Sequence, residues 1–205
     1  MSVLSVIDEP RVSGQPNEPA ATAPPLVRAA PAIEDVLLDV TIPEQVRDNW
    51  CWAAIAAGLG RAFGDDARSQ CEIASDLFEV SCCPQRFAPE SCDQPQAMDR
   101  PLGVHLRRRF EDPRHRTFAF VRAQIRRGFP IVVRIDWNRQ GAGHLVVIAG
   151  YRREGDVRHL YVCDPETGEL SKVRFEVFVS YYKQMGFWDI SYETRGRRSV
   201  PKLRG

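Results

Sequence analysis

The chain has 205 residues, a mass of 23.2 kDa and a formal net charge of +1, and hydrophobic residues make up 43% of it. This size suits one catalytic domain plus a tail. A charge so close to zero argues neither for nor against a nucleic-acid partner, and we expect none. No apolar run approaches the roughly 18–20 residues of a membrane span, and the first residues lack the basic region of a secretory signal. We therefore expect a monomer made in the cytoplasm, with export by a route that needs no such signal left open.

Residues 1–35 are rich in proline and alanine and carry little hydrophobic periodicity. Such a composition buries too little apolar surface to offset the entropy lost when the chain becomes ordered. We predict a disordered tail here, a folded catalytic domain over 36–195, and a frayed basic tail over 196–205.

The folded domain is predicted to open with an extended apolar segment over 36–42. Asp48 or Asn49 is placed to cap the alanine-rich helix that starts at Cys51. Further along, Ser69 and the glutamate three residues after it form a capping box. This box predicts a second helix that ends near residue 78.

A proline- and cysteine-rich loop over 81–101 precedes a third helix, which is predicted to begin at Thr117 and to end at Gly128. The basic stretch 105–127 is interpreted as a solvated helix face, with binding of an acidic or phosphate-bearing partner as the alternative. Short apolar runs separated by turns then predict strands over 131–135, 144–148, 159–163, 173–175 and 186–192, with a short helix near 176–182. Helices followed by strands predict an α+β fold with two subdomains.

Six cysteines are present, and four of them crowd into one segment: Cys71, Cys82, Cys83 and Cys92. Three alternatives stay open for this group, namely a zinc site, disulfide bonds or structural thiols. Zinc is the least favoured because no Cys-x-x-Cys pair is present, and we predict neither a metal nor an organic cofactor. Reduced thiols are the default in the cytosol, whereas export favours disulfides.

Cys51 stands apart from this group, at the start of the predicted helix and between two tryptophans. A helix N-terminus carries partial positive charge and free N–H groups, which favour a thiolate and are able to face an oxyanion. Gln45 precedes it by six residues and offers an amide donor for the same oxyanion. The structural alternatives are a small buried thiol for Cys51, the commonest fate of a free cysteine, and an exposed polar residue for Gln45.

His144 is a candidate base for this thiol, since it follows a glycine-rich turn and opens an apolar strand. The glycines beside it are expected to leave room for a substrate backbone. Asp164 closes the following strand and is predicted to accept the His144 Nδ1–H bond and fix the tautomer, with Asp136 and Asn138 as competitors. The structural alternatives are a core histidine and a turn-forming Asp-Pro pair. The other histidines are predicted at the surface: His105, His115 and His159.

These motifs together resemble the papain-like cysteine peptidases, in which glutamine, cysteine, histidine and asparagine or aspartate occur in this chain order. The similarity is greater to small bacterial members, the C39-like and AvrRpt2-like (C70) peptidases. It extends over roughly 40–194 and rests on four ordered motifs: Asn49–Ala54, Gln70–Ala74, the Cys82–Pro95 loop and Gly143–Ile148. Asp93 replaces an asparagine of these relatives, a change expected to be harmless in a loop. The interval from Cys51 to His144 is shorter than the roughly 130–150 residues of the papain pattern, so cleft-building insertions are expected to be missing.

The resemblance implies an α+β, papain-like fold, with a helical subdomain carrying the nucleophile packed against a twisted antiparallel β-sheet. It further implies peptide-bond hydrolysis with Cys51 as nucleophile, His144 as base, Asp164 as orienting residue and Gln45 as oxyanion donor beside the Cys51 N–H. The substrate is then a protein or peptide, and a secreted effector is one setting for such an enzyme. Two alternatives remain: an acyltransferase or transglutaminase-like deamidase on the same triad, and an inactive homologue that binds peptides.

Overall fold

The computed structural model describes residues 32–83, 89–112, 116–137, 143–196 and 198–203. The predicted N-terminal tail lies outside the described residues up to position 31, so its disorder stays a prediction. The first strand begins at Ile33, slightly before the predicted start of the domain.

Five α-helices occur within the described residues: α1 (Cys51–Phe63), α2 (Gln70–Phe78), α3 (Asp99–Leu102), α4 (Phe118–Arg126) and α5 (Phe175–Tyr181). The predicted capping box of α2 is confirmed, because the Ser69 side chain accepts from the Glu72 N–H and the Glu72 side chain bonds back to the Ser69 N–H. Thr117 caps α4 by a single bond, in which its side chain accepts from the Phe120 N–H. None of these helices has the length and apolarity that a membrane span needs.

Seven strands form one sheet in the described part of the chain: β1 (Ile33–Leu37), β2 (Leu106–Phe110), β3 (Ile131–Trp137), β4 (Gly143–Glu154), β5 (Val157–Asp164), β6 (Glu169–Arg174) and β7 (Gly186–Thr194). Their order is β2-β7-β3-β4-β5-β6, with β1 paired to the second half of β4, and every pairing is antiparallel. The central strands β3 and β4 are buried along most of their length, which accounts for their continuous runs of valine and isoleucine.

The predicted α+β fold is confirmed, since α1 carries Cys51 and packs against β4, which carries His144. The sequence interpretation of the basic stretch and of the C-terminal tail is wrong in part. Residues 106–110 form the edge strand β2 and no helix face, although three of its five residues are arginines. Residues 198–203 do not fray, because Val200 is buried and the Leu203 N–H donates to Leu37 O.

The helix α1 is the most deeply buried of the helices, and its alanines and glycines allow close packing. A Cβ atom on Gly58 would lie 2.7 Å from Thr41 O and 2.6 Å from Ile42 Cδ1. The helix ends at Gly64 with φ at 85°, the left-handed conformation typical of a glycine after a helix. Neither predicted N-cap is correct: the capping position is Trp50, without a side-chain cap bond.

The cysteine-rich segment is held by two disulfides, Cys71–Cys83 and Cys82–Cys92, so the structure selects disulfides among the three alternatives. The two disulfide-closed loops overlap in sequence because Cys82 and Cys83 are adjacent. Cys51 and Cys163 are free and buried.

This disulfide-bonded segment is fastened to the start of α1 by four hydrogen bonds. They are Asn49 N to Asp93 Oδ1 (2.9 Å), Asn49 Nδ2 to Asp93 O (3.1 Å), Trp50 Nε1 to Cys92 O (2.6 Å) and Trp52 Nε1 to Gln94 O (2.9 Å). The group used on the Asp93 side chain is an acceptor oxygen, which an asparagine also has. The two tryptophans beside Cys51 therefore serve to position the neighbouring loop.

Candidate active site

Cys51 is the first residue of α1, and it lines a cleft of about 190 Å³. The first helical hydrogen bond runs from Ala54 N to Trp50 O, so the N–H of Cys51 precedes the regular bonding of the helix. Both the partial positive charge of the helix terminus and a free backbone donor are thus available beside the thiol.

His144 is the second residue of β4, and its ring interacts with two predicted partners. Its Nε2 lies 2.6 Å from Asp164 Oδ1, and the Cys51 side chain is close enough to the ring to favour the protonated imidazole. Trp137 covers the imidazole, with the two ring centroids 6.3 Å apart and the planes at 19°. The structure therefore brings the three predicted residues of the triad together in the order thiol, imidazole, carboxylate.

The predicted Nδ1–H bond from His144 to Asp164 is wrong in one respect, because the nitrogen that faces the carboxylate is Nε2. The register pairs Cys163 with Val147, so the His144 ring has to reach along the sheet to the end of β5. Nε2, the ring nitrogen farther from the backbone, therefore bonds to Asp164.

Asp164 is buried and accepts hydrogen bonds on both oxygens. Oδ1 accepts from His144 Nε2 and from the Glu166 N–H at 2.9 Å, and Oδ2 accepts from the Tyr182 hydroxyl at 2.9 Å. The Lys183 ammonium lies 2.8 Å from the same Oδ2. This carboxylate is thus fixed from β4, from the turn after β5 and from the turn after α5.

The charges of the histidine and the aspartate stabilise each other. Burial of the His144 ring disfavours its charged form, but the hydrogen bond and charge of Asp164 and the interaction with Cys51 outweigh this effect and raise the pKa of His144 to about 9. Burial also opposes ionisation of Asp164, yet the hydrogen bond and the charge of His144 hold the pKa of Asp164 well below its usual range. His144 therefore holds a proton at neutral pH beside an ionised Asp164.

Gln45 lies six residues before Cys51, with its amide turned toward the loop that leads into α1. Its Nε2 donates to Arg47 O at 3.0 Å and to Asp48 O at 2.7 Å, whereas Oε1 is buried without a hydrogen-bond partner among the described residues. Both amide hydrogens are therefore bonded to backbone carbonyls. To bind an oxyanion, the amide has to give up one of these two bonds.

Gln70 holds the segment around Gln45 in place. This buried side chain donates from Nε2 to Glu44 O at 2.7 Å and accepts at Oε1 from the Val46 N–H at 3.1 Å. The two bonds fasten the backbone on both sides of Gln45. This role could not be predicted from the Gln70–Ala74 motif, because nothing local in the sequence shows that the Gln70 amide faces a segment 24–26 residues earlier.

The cleft beside Cys51 has one wall from the disulfide-bonded segment and one from the sheet. The wall residues include Pro95, Ala97, Arg109, Arg134, Gly143 and Tyr192. The stem of Arg134 fills the space beside Gly143, where a Cβ atom would lie 2.9 Å from both Cγ and Cδ of that arginine. The predicted role of Gly143 is therefore incomplete, because the missing side chain makes room for an arginine as well as for the cleft.

The sequence profile of the Peptidase_C39 like family matches residues 37–190, which is most of the chain. The chain belongs to the Peptidase_C39 like family. This membership confirms the resemblance to papain-like cysteine peptidases of the C39-like kind and identifies a cysteine peptidase in the general sense. No curated protein matches the sequence.

One similar solved structure comes from a study of antibody cross-reactivity between the mite allergens Blo t 1 and Der p 1. The sequence identity is 12%, the alignment covers 85% of this chain and 75% of that chain, and the TM-score is 0.48.

Among the described residues, none of the other candidates from the sequence forms a hydrogen bond with His144. Asp136 is buried, and its Oδ1 has no hydrogen-bond partner among the described residues. Asn138 and His115 lie outside the described residues. His159 is half-buried. His105 is buried and not at the surface as predicted, because it bonds to Asp65 and to Arg195 O and stacks on Phe63.

His144, Asp164 and Glu166 each offer one ligand atom, and these atoms lie within 4.8 Å of one another. In the described structure the oxygens of Asp164 already accept bonds from His144, Tyr182 and the backbone, and Lys183 supplies a cation at this place. The donor set therefore fits the hydrogen-bond network of a catalytic pair. The prediction that no metal is required stays a prediction.

Proposed function

We propose that this C39-like protein hydrolyses peptide bonds with Cys51 as nucleophile, His144 as proton carrier and Asp164 as the residue that orients the imidazole. The observation that supports the proposal is the position of the His144 ring, which interacts with Cys51 at the start of a buried helix and bonds through Nε2 to Asp164. A nucleophile, a base and an orienting group in hydrogen-bond contact are the arrangement that nucleophilic catalysis requires.

In the first step the Cys51 sulfur attacks the peptide carbonyl carbon, and the electrons of the C=O bond move onto the oxygen. The Cys51 N–H is one donor to this oxyanion, and Gln45 is the second after its amide releases a backbone carbonyl. His144 then gives its proton to the peptide nitrogen as the C–N bond breaks and the carbonyl reforms. The amine product leaves, and a thioester to Cys51 remains.

In the second step a water molecule gives a proton to His144 and attacks the thioester carbonyl carbon. Collapse of the resulting oxyanion breaks the C–S bond and releases the carboxylic acid product. Cys51 returns as a thiolate and His144 as an imidazolium, so the starting charges are restored. Asp164 holds the imidazole ring in one orientation in both steps and stays ionised.

The test is incubation of the purified protein with a peptide library, followed by mass spectrometry of new amino termini. We expect cleavage by the wild type, none by Cys51→Ala, and retained cleavage by Cys163→Ala, which removes the other free cysteine. Ammonia release or transfer to an added amine without new termini would show the deamidase or acyltransferase alternative. Equal cleavage by the wild type and Cys51→Ala would exclude Cys51 as the nucleophile.

A further inference from the structure

The carboxylate of Asp164 is shared between His144 and a pair of residues that follow α5. Tyr182 donates its hydroxyl to Asp164 Oδ2, and the Lys183 Nζ lies 2.8 Å from the same oxygen. Lys183 also bonds to Glu166. The orienting carboxylate therefore has an imidazole on one oxygen and an ammonium on the other.

The backbone that presents Lys183 has an uncommon conformation. Lys183 and Gln184 have φ angles of 46° and 73°, in the left-handed region where glycine and asparagine are favoured. The turn is closed by Tyr182 N to Gly186 O at 2.8 Å and by Gly186 N to Tyr182 O at 2.9 Å. A glycine would adopt this φ without strain, so the turn holds Lys183 in a conformation that is unfavourable for a lysine.

We propose that Lys183 is a positioning residue of the triad, whose ammonium draws part of the Asp164 charge away from His144 and thereby makes the imidazolium a better proton donor. The claim that Lys183 improves proton donation rests on the proposed function, since a proton donor has to act on a leaving group. The claim that Lys183 lowers the pKa of His144 does not depend on turnover. A fixed positive charge near an imidazolium disfavours the protonated ring.

The charged and titratable groups around the pair, among the described residues, are Cys51, Glu166, Tyr182 and Lys183. Partial burial disfavours the charge of Lys183, but hydrogen bonds to Asp164 and Glu166 outweigh it and raise the pKa of this lysine above its usual value. Burial and the charge of Asp164 raise the pKa of Tyr182, which therefore stays a hydroxyl donor. Lys183 thus stays charged over the whole range in which His144 titrates.

Glu166 acts in the opposite direction. It is exposed, close to Asp164 and paired with Lys183, so its negative charge favours the imidazolium. Removing Lys183 leaves two carboxylates without their common cation, and the proton on His144 is then held more tightly. A more tightly held proton is transferred more slowly to the leaving nitrogen.

The test is an NMR titration of the His144 ring, with the signal assigned by its loss in His144→Gln. We expect Lys183→Gln to raise the titration midpoint of His144 by about 0.5 to 1 pH unit. This shift is small for a charge so close because the lysine is partly exposed to solvent. Lys183→Arg should leave the midpoint within about 0.2 pH unit of the wild type, because it keeps the charge. Glu166→Gln should lower it by about 0.3 pH unit or more.

Lys183→Gly keeps the proposal testable if Lys183→Gln alters the turn, since glycine adopts the observed φ without strain. It should raise the midpoint as Lys183→Gln does, whereas Lys172→Gln, which removes a lysine from the exposed strand β6, should not. An unchanged or lowered midpoint in both Lys183 variants would overturn the proposal. Because the titration needs no substrate, a protein without peptidase activity would contradict the proposed function and still give this result.

In an active protein, the second readout is kcat/KM at pH 7. We expect Lys183→Gln to lower it about two- to threefold while raising the pH of the alkaline limb, which is the behaviour of a weaker general acid. A loss of activity with an unchanged alkaline limb would indicate a merely structural lysine and would count against the proposal.

Discussion

Replacement of Asp164 by asparagine should separate the charge of this residue from its hydrogen bond. The asparagine carbonyl still accepts from His144 Nε2, but the negative charge that supports the imidazolium is gone. The pKa of His144 is raised to about 9 in the native protein. Loss of an opposite charge in direct contact lowers such a value by about 1 to 3 units, so the variant should titrate at about pH 6 to 8.

The effect of Asp164→Asn on activity should be largest in mildly alkaline solution. At pH 8, with the midpoint lowered by about two units, the protonated fraction of His144 falls from about nine-tenths to about one-tenth. The alkaline limb of kcat/KM, which reports the free enzyme, should move down by the same interval, and activity at pH 8 should fall about tenfold beyond any change at pH 6.

The assay is a pH profile of kcat/KM from pH 5 to pH 10 for the wild type, Asp164→Asn and Asp136→Asn. Asp136 is the matched control because it is also a buried carboxylate, but within the described structure no hydrogen bond joins it to His144. Asp136→Asn should keep the alkaline limb near pH 9. An unmoved limb in Asp164→Asn, or a downward shift in Asp136→Asn in its place, would refute the assignment of the orienting residue.

Two further predictions concern residues that support the site. Gln70→Leu removes both bonds that fasten the backbone around Gln45, so kcat should fall about tenfold. This loss should be smaller when Gln45 is already replaced by alanine, and full additivity of the two substitutions would contradict a role of Gln70 that acts through Gln45. Gly58→Ala gains about 1 kcal/mol of helix propensity but places Cβ 2.7 Å from Thr41 O, so urea unfolding should show a net loss of about 1–2 kcal/mol. Gly60→Ala, whose Cβ meets nothing nearer than 3.8 Å, should stabilise by up to about 1 kcal/mol, and equal gains for both variants would disprove the close contact.

Local signals in the sequence were sufficient for most of the helices and strands. The hydroxyls of Ser69 and Thr117 cap α2 and α4 as predicted, because a cap depends on residues only three positions apart. The apolar runs that became β3 and β4 were recognisable since central strands are buried on both faces. The positions of Cys51, His144 and Asp164 at the ends of their elements followed from these boundaries.

The remaining features depend on contacts between distant parts of the chain. The strand β2 is rich in arginine and is a strand because β7 supplies its hydrogen bonds. His105 is buried because its ring bonds to Asp65 and to Arg195 O, and neither residue is near it in sequence. Lys183 looks like an ordinary charged turn residue, and only the fold brings its ammonium to Asp164.

The assignment of Cys51 as the nucleophile is tested most directly by alkylating the native protein with iodoacetamide at pH 6 and mapping the modified residue. At this pH ordinary thiols are protonated and react slowly. The two free cysteines differ sharply, because burial raises the pKa of Cys163 to about 11 and its thiol bonds to Val40 O. Peptide mapping should find a single carbamidomethyl group on Cys51, which is lost in Cys51→Ala, kept in Cys163→Ala and formed much more slowly in His144→Gln. Labelling that is equal in the wild type and Cys51→Ala, or that is unaffected by His144→Gln, would contradict an activated Cys51–His144 pair.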